Sequence, residues 1–225
     1  RFFKQLWRRY VMQDVIKIES KVHPNVILRV IPGHFATPNS HVNYYLDMTA
    51  LKARQSEASA VAVELSKQIS ATKVVDTIVC MDGCEIVGSF LAEELTKAGI
   101  YSMNAHKTMY IITPEFGPSG HMLFRENLKP MVRGKNVLLL LASVTTGQTI
   151  VRALRALNYY GAEISAISAI FTAASSIAGM TINSLFTTAD LPDYRKYEPE
   201  NCSMCKAKKP IDAFANAFGY SLIQE

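Results

Sequence analysis

The residues Thr145-Thr146-Gly147-Gln148-Thr149 follow closely on an apolar run, Asn136 to Leu141, and open an amphipathic stretch, Gln148 to Tyr160. A buried strand that turns in this way into a helix aims successive backbone N–H groups and three threonine hydroxyls at one point, where the helix dipole is positive. Such an arrangement cradles a phosphate. Gly147 allows close backbone approach, and no Lys follows it, so the loop is not the Walker type, in which a mobile ammonium reaches a second phosphate. The same residues also read as an ordinary strand-to-helix turn with threonine caps, and taken alone the two readings are equal.

Four further groups have types that could do chemistry. In Met81-Asp82-Gly83-Cys84-Glu85, the carboxylates of Asp82 and Glu85 could bind Mg²⁺, or could be a helix cap and a first-turn acid favoured by the dipole alone. Cys202-Ser-Met-Cys205 has the spacing of half a zinc knuckle, but a structural Zn²⁺ needs four ligands. Cys80 and Cys84 could complete the set only if the tail folded back, and Cys80 reads as buried in a strand. The reading is therefore surface thiols near a turn and no metal centre. His23, His34, His41, His106 and His121 share no ligand-like spacing and read mostly as surface or loop residues. Tyr44-Tyr45 could stack on a base, but packing is the simpler role.

The elements that must position these residues alternate along the chain. Val26 to Ile31 reads as a strand closed by Pro32-Gly33, Val42 to Leu46 as a second strand, and Met48 to Ser70 as one long helix. Val74 to Met81, Met109 to Thr113, Asn136 to Leu141, Ala162 to Ala173 and Leu185 to Thr187 read as strands, with Ile100 to Met103 a possible further one. Helices are expected over Glu85 to Ala98, stopped by Gly99, and over Gln148 to Tyr160. Apolar strands interleaved with amphipathic helices predict an α/β fold, a parallel-dominated sheet with helices on both faces. Ligands bind such sheets at the carboxyl ends of the strands, which selects the loops Asp82 to Gly88 and Ser143 to Thr149.

Composition supports one such domain over 1–225. The chain of 225 residues is 49% apolar and 19% charged, so it can bury a substantial core, and disordered and fibrous classes are excluded. The net charge of +5 permits anionic ligands without demanding nucleic acid. Four cysteines are sparse for a disulfide scaffold, which suits a reducing cytoplasm. Residues 1–14 read as an N-terminal helix docked on the domain or a dimer partner. Ile164 to Ile182 lacks charge, but its Ser and Thr residues with Gly179 read as a buried strand, a small-residue turn and a helix rather than a membrane span.

The run from Asn136 to Thr149 resembles the phosphoribosyl-pyrophosphate motif of the type I phosphoribosyltransferases, and the whole chain resembles their orotate branch. Gly33-His34-Phe35 with Asn39 to Asp47, the loop Met81 to Gly88, and the tail Tyr197 to Cys205 add to the resemblance. It implies a small hood or cap built from 15–47 and 188–225. It implies that Thr145, Thr146, Gly147, Gln148 and Thr149 hold the 5-phosphate of a ribosyl donor. Asp82, Gly83, Cys84 and Glu85 then face its pyrophosphate, Lys107 is a catalytic cation ahead of a mobile hood at Pro114 to Gly120, and Mg²⁺ is the cofactor. The expected partners are phosphoribosyl pyrophosphate or a nucleotide 5-phosphate and a second copy of the chain, not a membrane or nucleic acid.

Three departures from the family pattern stand out. Leu141 and Ala142 replace the acidic pair that grips the ribose hydroxyls, and neither side chain can accept a hydrogen bond. Phe171 to Ala174 replaces the Asp-Arg pair that would meet the orotate carboxylate. Tyr110 to Leu123 holds no Lys or Arg for the hood. Two function classes follow from this: an enzyme that transfers a phosphoribosyl group to a nucleobase, nominally orotate, in pyrimidine nucleotide synthesis; or a catalytically degenerate relative that binds a nucleotide or sugar phosphate in a regulatory role.

Overall fold

The computed structural model describes residues 15–97, 102–105, 107–118, 120–216 and 218–223. The expected N-terminal helix over 1–14, the Gly99 cap and His106 lie outside them. Five strands run parallel in the order β5 (Tyr110–Ile112), β4 (Thr77–Cys80), β8 (Asn136–Val144), β9 (Glu163–Thr172), β11 (Met180–Thr187), and β10 (Ser176–Ile177) closes the far edge antiparallel to β11.

Alternation along the strands decides which layer each side chain joins. On β8, Leu138, Leu140 and Ala142 pack on one face, with helices α1 (Thr49–Ala53), α2 (Gln55–Lys67) and α3 (Glu85–Lys97), while Val137, Leu139, Leu141 and Val144 pack on the other with α4 (Gln148–Tyr159). The sheet is buried on both faces, which is why its strands read as continuous apolar runs. Close approach of α3 depends on Gly88, where a β-carbon would lie 2.5 Å from Cys80 Sγ. On α4, Ile150, Ala153 and Leu157 face the sheet, and Arg152 and Arg155 face solvent.

A second sheet gathers segments from both ends of the chain. Its order is β12 (Lys196–Tyr197), β3 (His41–Asp47), β2 (Ile27–Ala36), β13 (Ala213–Asn216), β14 (Gly219–Leu222), with β1 (Ile16–Glu19) also paired to β2. Phe35 and Ala36 on β2 pair in parallel with Ala213 and Phe214, about 180 residues later in the sequence.

Local differences from the sequence reading have physical causes. Strand β2 is not closed by Pro32-Gly33; it runs through them, with a register shift between Pro32 and Phe35 that absorbs the missing donor of the proline. The long helix is two helices, parted at Arg54, whose backbone is extended at φ −88°, ψ 121°. Of the possible strand at Ile100 to Met103, the described part, from Ser102 onward, is irregular chain and turn. The region after β9 is a strand hairpin, β10 with the start of β11, instead of a helix; Ala178 and Gly179, both at positive φ, form its turn. The described part of Pro114 to Gly120 includes β6 (Glu115–Phe116), which pairs with β7 (Met122–Leu123) in a small hairpin. Among the described residues, no helix is long and apolar enough to cross a membrane.

Candidate functional site

The strand order reverses between β4 and β8: from β4 the chain crosses to β5 on one side, then returns to β8 on the other. Ligands bind α/β sheets outside the carboxyl ends of strands at such a switch point. The loops after β4 and β8 therefore meet there, and a cleft of about 300 Å³ opens between them and the second sheet.

Thr145 and Thr149 line this cleft, with Ser143 beside them. Gly147 occupies the N-cap position of α4 in the left-handed conformation, φ 73°. A β-carbon there would sit 2.3 Å from Ile177 Cδ1, so this position needs glycine for both backbone and space. Thr146 Oγ1 accepts the Gln148 N–H at 3.3 Å, and the Lys196 ammonium of β12 donates to the Thr145 carbonyl at 3.2 Å. Lys196 is a cation beside the cradle that sequence reading missed, since it arrives from a different sheet.

Asp82 is in the left-handed region at φ 57°, followed by Gly83 at φ 74°. Asp is one of the few non-glycine residues that adopt this region as single turn residues. Burial pushes the Asp82 carboxyl above its ordinary range, partly offset by the Lys52 charge and a hydrogen bond from the Ala142 N–H. Its hydrogen bond to a neighbouring strand replaces the helix-cap reading. The Lys52 ammonium donates to the Asp82 carbonyl at 2.6 Å. Glu85 begins α3 and accepts the Thr113 hydroxyl at 2.7 Å. Cys84 is fully buried, and its N–H is taken by the Met81 carbonyl at 3.1 Å.

Leu141 and Ala142 differ in direction. Ala142 lines the cleft, whereas Leu141 is buried in the layer under α4. Lys107 is not at the cleft: it precedes β5, near Asp76 at the amino ends of the parallel strands, because β5 starts only at Tyr110 level with Thr77.

The far wall belongs to the second sheet. Asn39, Tyr44, Tyr45 and Asn216 face the cleft, and Tyr45 packs on Phe35 and Tyr220 at ring distances of 5.7 and 4.8 Å. Burial, then Asp47 and Tyr220, raise the Tyr45 hydroxyl to about 12, so it stays a neutral donor.

Behind this wall lie four residues that sequence reading kept apart. His34 and His41 are buried, not surface residues, and they face Cys202 and Cys205 with their ligand atoms all within 4.8 Å of one another. The second pair beside Cys202 and Cys205 is thus histidine, not Cys80 and Cys84. Their sequence spacing gave no signal, because β2 and β3 pair antiparallel and bring positions 34 and 41 together across the turn.

No protein-family model matches the sequence, and no curated protein matches it. Solved structures do. UMP synthase from Leishmania donovani aligns with a TM-score of 0.52 at 18% identity, over 80% of this chain and 36% of that one. A phosphoribosyltransferase from Corynebacterium diphtheriae aligns with a TM-score of 0.50 at 17% identity, over 72% of this chain and 90% of that one. The parallel sheet, its switch-point cleft and these alignments give the chain the fold of the type I phosphoribosyltransferases.

Proposed function

We propose that this chain binds a 5-phosphoribosyl donor in the switch-point cleft and transfers its phosphoribosyl group to a nucleobase. The observation that carries the reading is that Asp82 lines one cleft together with Thr145 and Thr149, the two ends of the cradle. The motif lacks acids at 141 and 142, yet Asp82 brings a carboxylate against the Ala142 N–H. It stands close to where the acidic pair would grip the ribose hydroxyls.

In this reading the cradle and Lys196 hold the 5-phosphate, and the loop Asp82 to Glu85 faces the pyrophosphate. A ring nitrogen of the base attacks C1 of the ribose, the bond from C1 to the pyrophosphate oxygen breaks, pyrophosphate leaves, and the proton of the ring nitrogen passes to solvent. Asp82 stabilises the positive charge that develops at the ribose, and the β6–β7 hairpin stands at the same end of the sheet to limit water. Mg²⁺ suits this donor set: it takes one or two carboxylates plus phosphate oxygens, and Asp82 with Glu85 would hold it, supplying charge to the departing pyrophosphate. The base side offers amides and tyrosines, and Lys52 is the one cation in the cleft lining among the described residues. That wall fits a flat neutral base better than the carboxylate of orotate.

The test is calorimetric titration with phosphoribosyl pyrophosphate and Mg²⁺, followed by pyrophosphate release with orotate, uracil and adenine as acceptors. Asp82→Asn is expected to weaken donor binding by about 10-fold or more, since a charge-assisted hydrogen bond is worth roughly 1.5–3 kcal/mol. Unchanged binding and release in this variant would remove Asp82 from the site. Binding of ribose 5-phosphate with no release for any base would favour the second reading, a binding protein without transfer, to which the neutral Leu141 and Ala142 point.

A further inference from the structure

We propose that His34, His41, Cys202 and Cys205 bind one Zn²⁺ in a closed structural site that clips the carboxyl-terminal segment to the β2–β3 hairpin. In a tetrahedral site with Zn–N near 2.0–2.1 Å and Zn–S near 2.3 Å, simple geometry puts neighbouring ligand atoms about 3.3–3.8 Å apart. Four of the six separations lie at or within about 0.2 Å of those edges, and all ligand atoms lie within 4.8 Å of one another. His34 Nε2 lies 3.1 Å from His41 Nδ1, 3.5 Å from Cys202 Sγ and 3.7 Å from Cys205 Sγ, and Cys205 Sγ lies 3.3 Å from His41 Nδ1. Both cysteines are free thiols, so no disulfide accounts for the cluster.

The surroundings also orient the ligands. His34 Nδ1 lies 3.0 Å from the carbonyls of both Lys209 and Pro210. Carbonyls only accept, so Nδ1 carries the proton and the Nε2 lone pair faces the two sulfurs. A ligating histidine whose other nitrogen donates to a carbonyl has the outer-shell arrangement of metal centres. The Asp212 carboxylate accepts the His34 N–H at 2.6 Å and fixes the backbone that carries the ring. Two thiolates and two neutral imidazoles balance the charge of a divalent ion, and this soft set selects zinc over Mg²⁺ or Ca²⁺. His34, His41 and Cys202 are buried, whereas Cys205 is exposed and gives the ion a way in.

The clip has a position as well as a composition. His34 and His41 flank the turn Thr37 to Ser40, which lines the cleft, and Tyr197 of β12 pairs with His41. The ion would set the wall of the cleft without touching its contents. The proposal does not rest on the phosphoribosyl reading, and its readout needs no substrate.

The full chain, purified reduced and without chelator, is analysed for metal by mass spectrometry, then stripped and titrated with Co²⁺. The expected result is about one zinc per chain and a cobalt complex with tetrahedral ligand-field bands and thiolate charge transfer. Cys205→Ser should lose part of the charge-transfer intensity and bind zinc more weakly by more than the roughly 10-fold cost of losing an outer-shell partner. Cys84→Ala should keep both signals. The proposal is overturned if the reduced wild-type chain neither carries nor takes up zinc, if its cobalt spectrum lacks thiolate charge transfer, or if Cys205→Ser leaves the spectrum unchanged. Should Cys205→Ser fail to fold, the wild-type cobalt spectrum decides alone.

Discussion

Replacing Gly147 by alanine tests whether the cradle is as constrained as its geometry states. The new β-carbon would lie 2.3 Å from Ile177 Cδ1 and 3.1 Å from Cγ1, well inside the usual carbon contact of about 3.5–4.0 Å. Ile177 would have to leave its rotamer, at about 0.5–1.5 kcal/mol. The left-handed backbone costs a non-glycine residue about 1–2 kcal/mol more. The sum is about 1.5–3.5 kcal/mol, read as a lower urea midpoint at unchanged slope. If the loop relieves the strain by turning its N–H groups away, ribose 5-phosphate binding falls as well, tenfold for each 1.4 kcal/mol or so. Adding Ile177→Ala removes the colliding atom and should return the rotamer share, leaving the backbone share in place. A loss below about 0.5 kcal/mol for Gly147→Ala, or strict additivity in the double-mutant cycle, would refute the argument.

Other outcomes follow from groups away from the cradle. Burial alone would raise the Asp76 carboxyl, but the Asn136 backbone and side-chain N–H groups, with Lys135 and Lys107, outweigh it and hold it below its ordinary value. Its contribution to stability is therefore fully present above the ordinary Asp value of about 3.9 and is lost as pH falls through the lowered one. Asp76→Asn should lower the urea midpoint at neutral pH and flatten the acid limb of the stability profile, and an unchanged acid limb would contradict this. Burial raises the Cys80 thiol to about 12 and the Cys84 thiol well above its ordinary value. Neither should react with a thiol reagent in the native state, and both should react together on unfolding; fast native labelling at either would count against the burial described.

Period and punctuation in the sequence were enough to find the parallel sheet, its alternating helices and the two loops at the switch point. The continuous apolar run of β8 and the threonine turn after it are local signals, and the fold preserved them. Contacts set by pairing between distant segments were not legible. Strand β2 passes through Pro32-Gly33 because β3 pairs with it on both sides of the irregular stretch, which the local pattern does not show. Lys196 reaches the cradle, and His34 reaches Cys202, across more than fifty residues of chain for the same reason. The catalytic place of Lys107 rested on resemblance alone: the sequence already reads the next strand from Met109, and a parallel strand puts everything before it at the opposite end from the cleft. Asp82 was named as a site residue, but its hydrogen bond to Ala142 exists only once β4 and β8 lie side by side.

The parallel pairing of β2 with β13 also bears on when the cleft can exist during synthesis. The strands from β4 to β11 occupy residues 77–187 and can pair among themselves as they emerge from the ribosome. The wall that carries Tyr45 stays open until Ala213 finds Phe35 and Tyr220 reaches the Tyr45 ring. These contacts span nearly the whole chain, so their loop-closure entropy is the largest in the fold and they form late. A nascent chain halted before residue 213 would thus carry the Thr145 to Thr149 turn while the facing wall of the cleft lacked its β13 and β14 part.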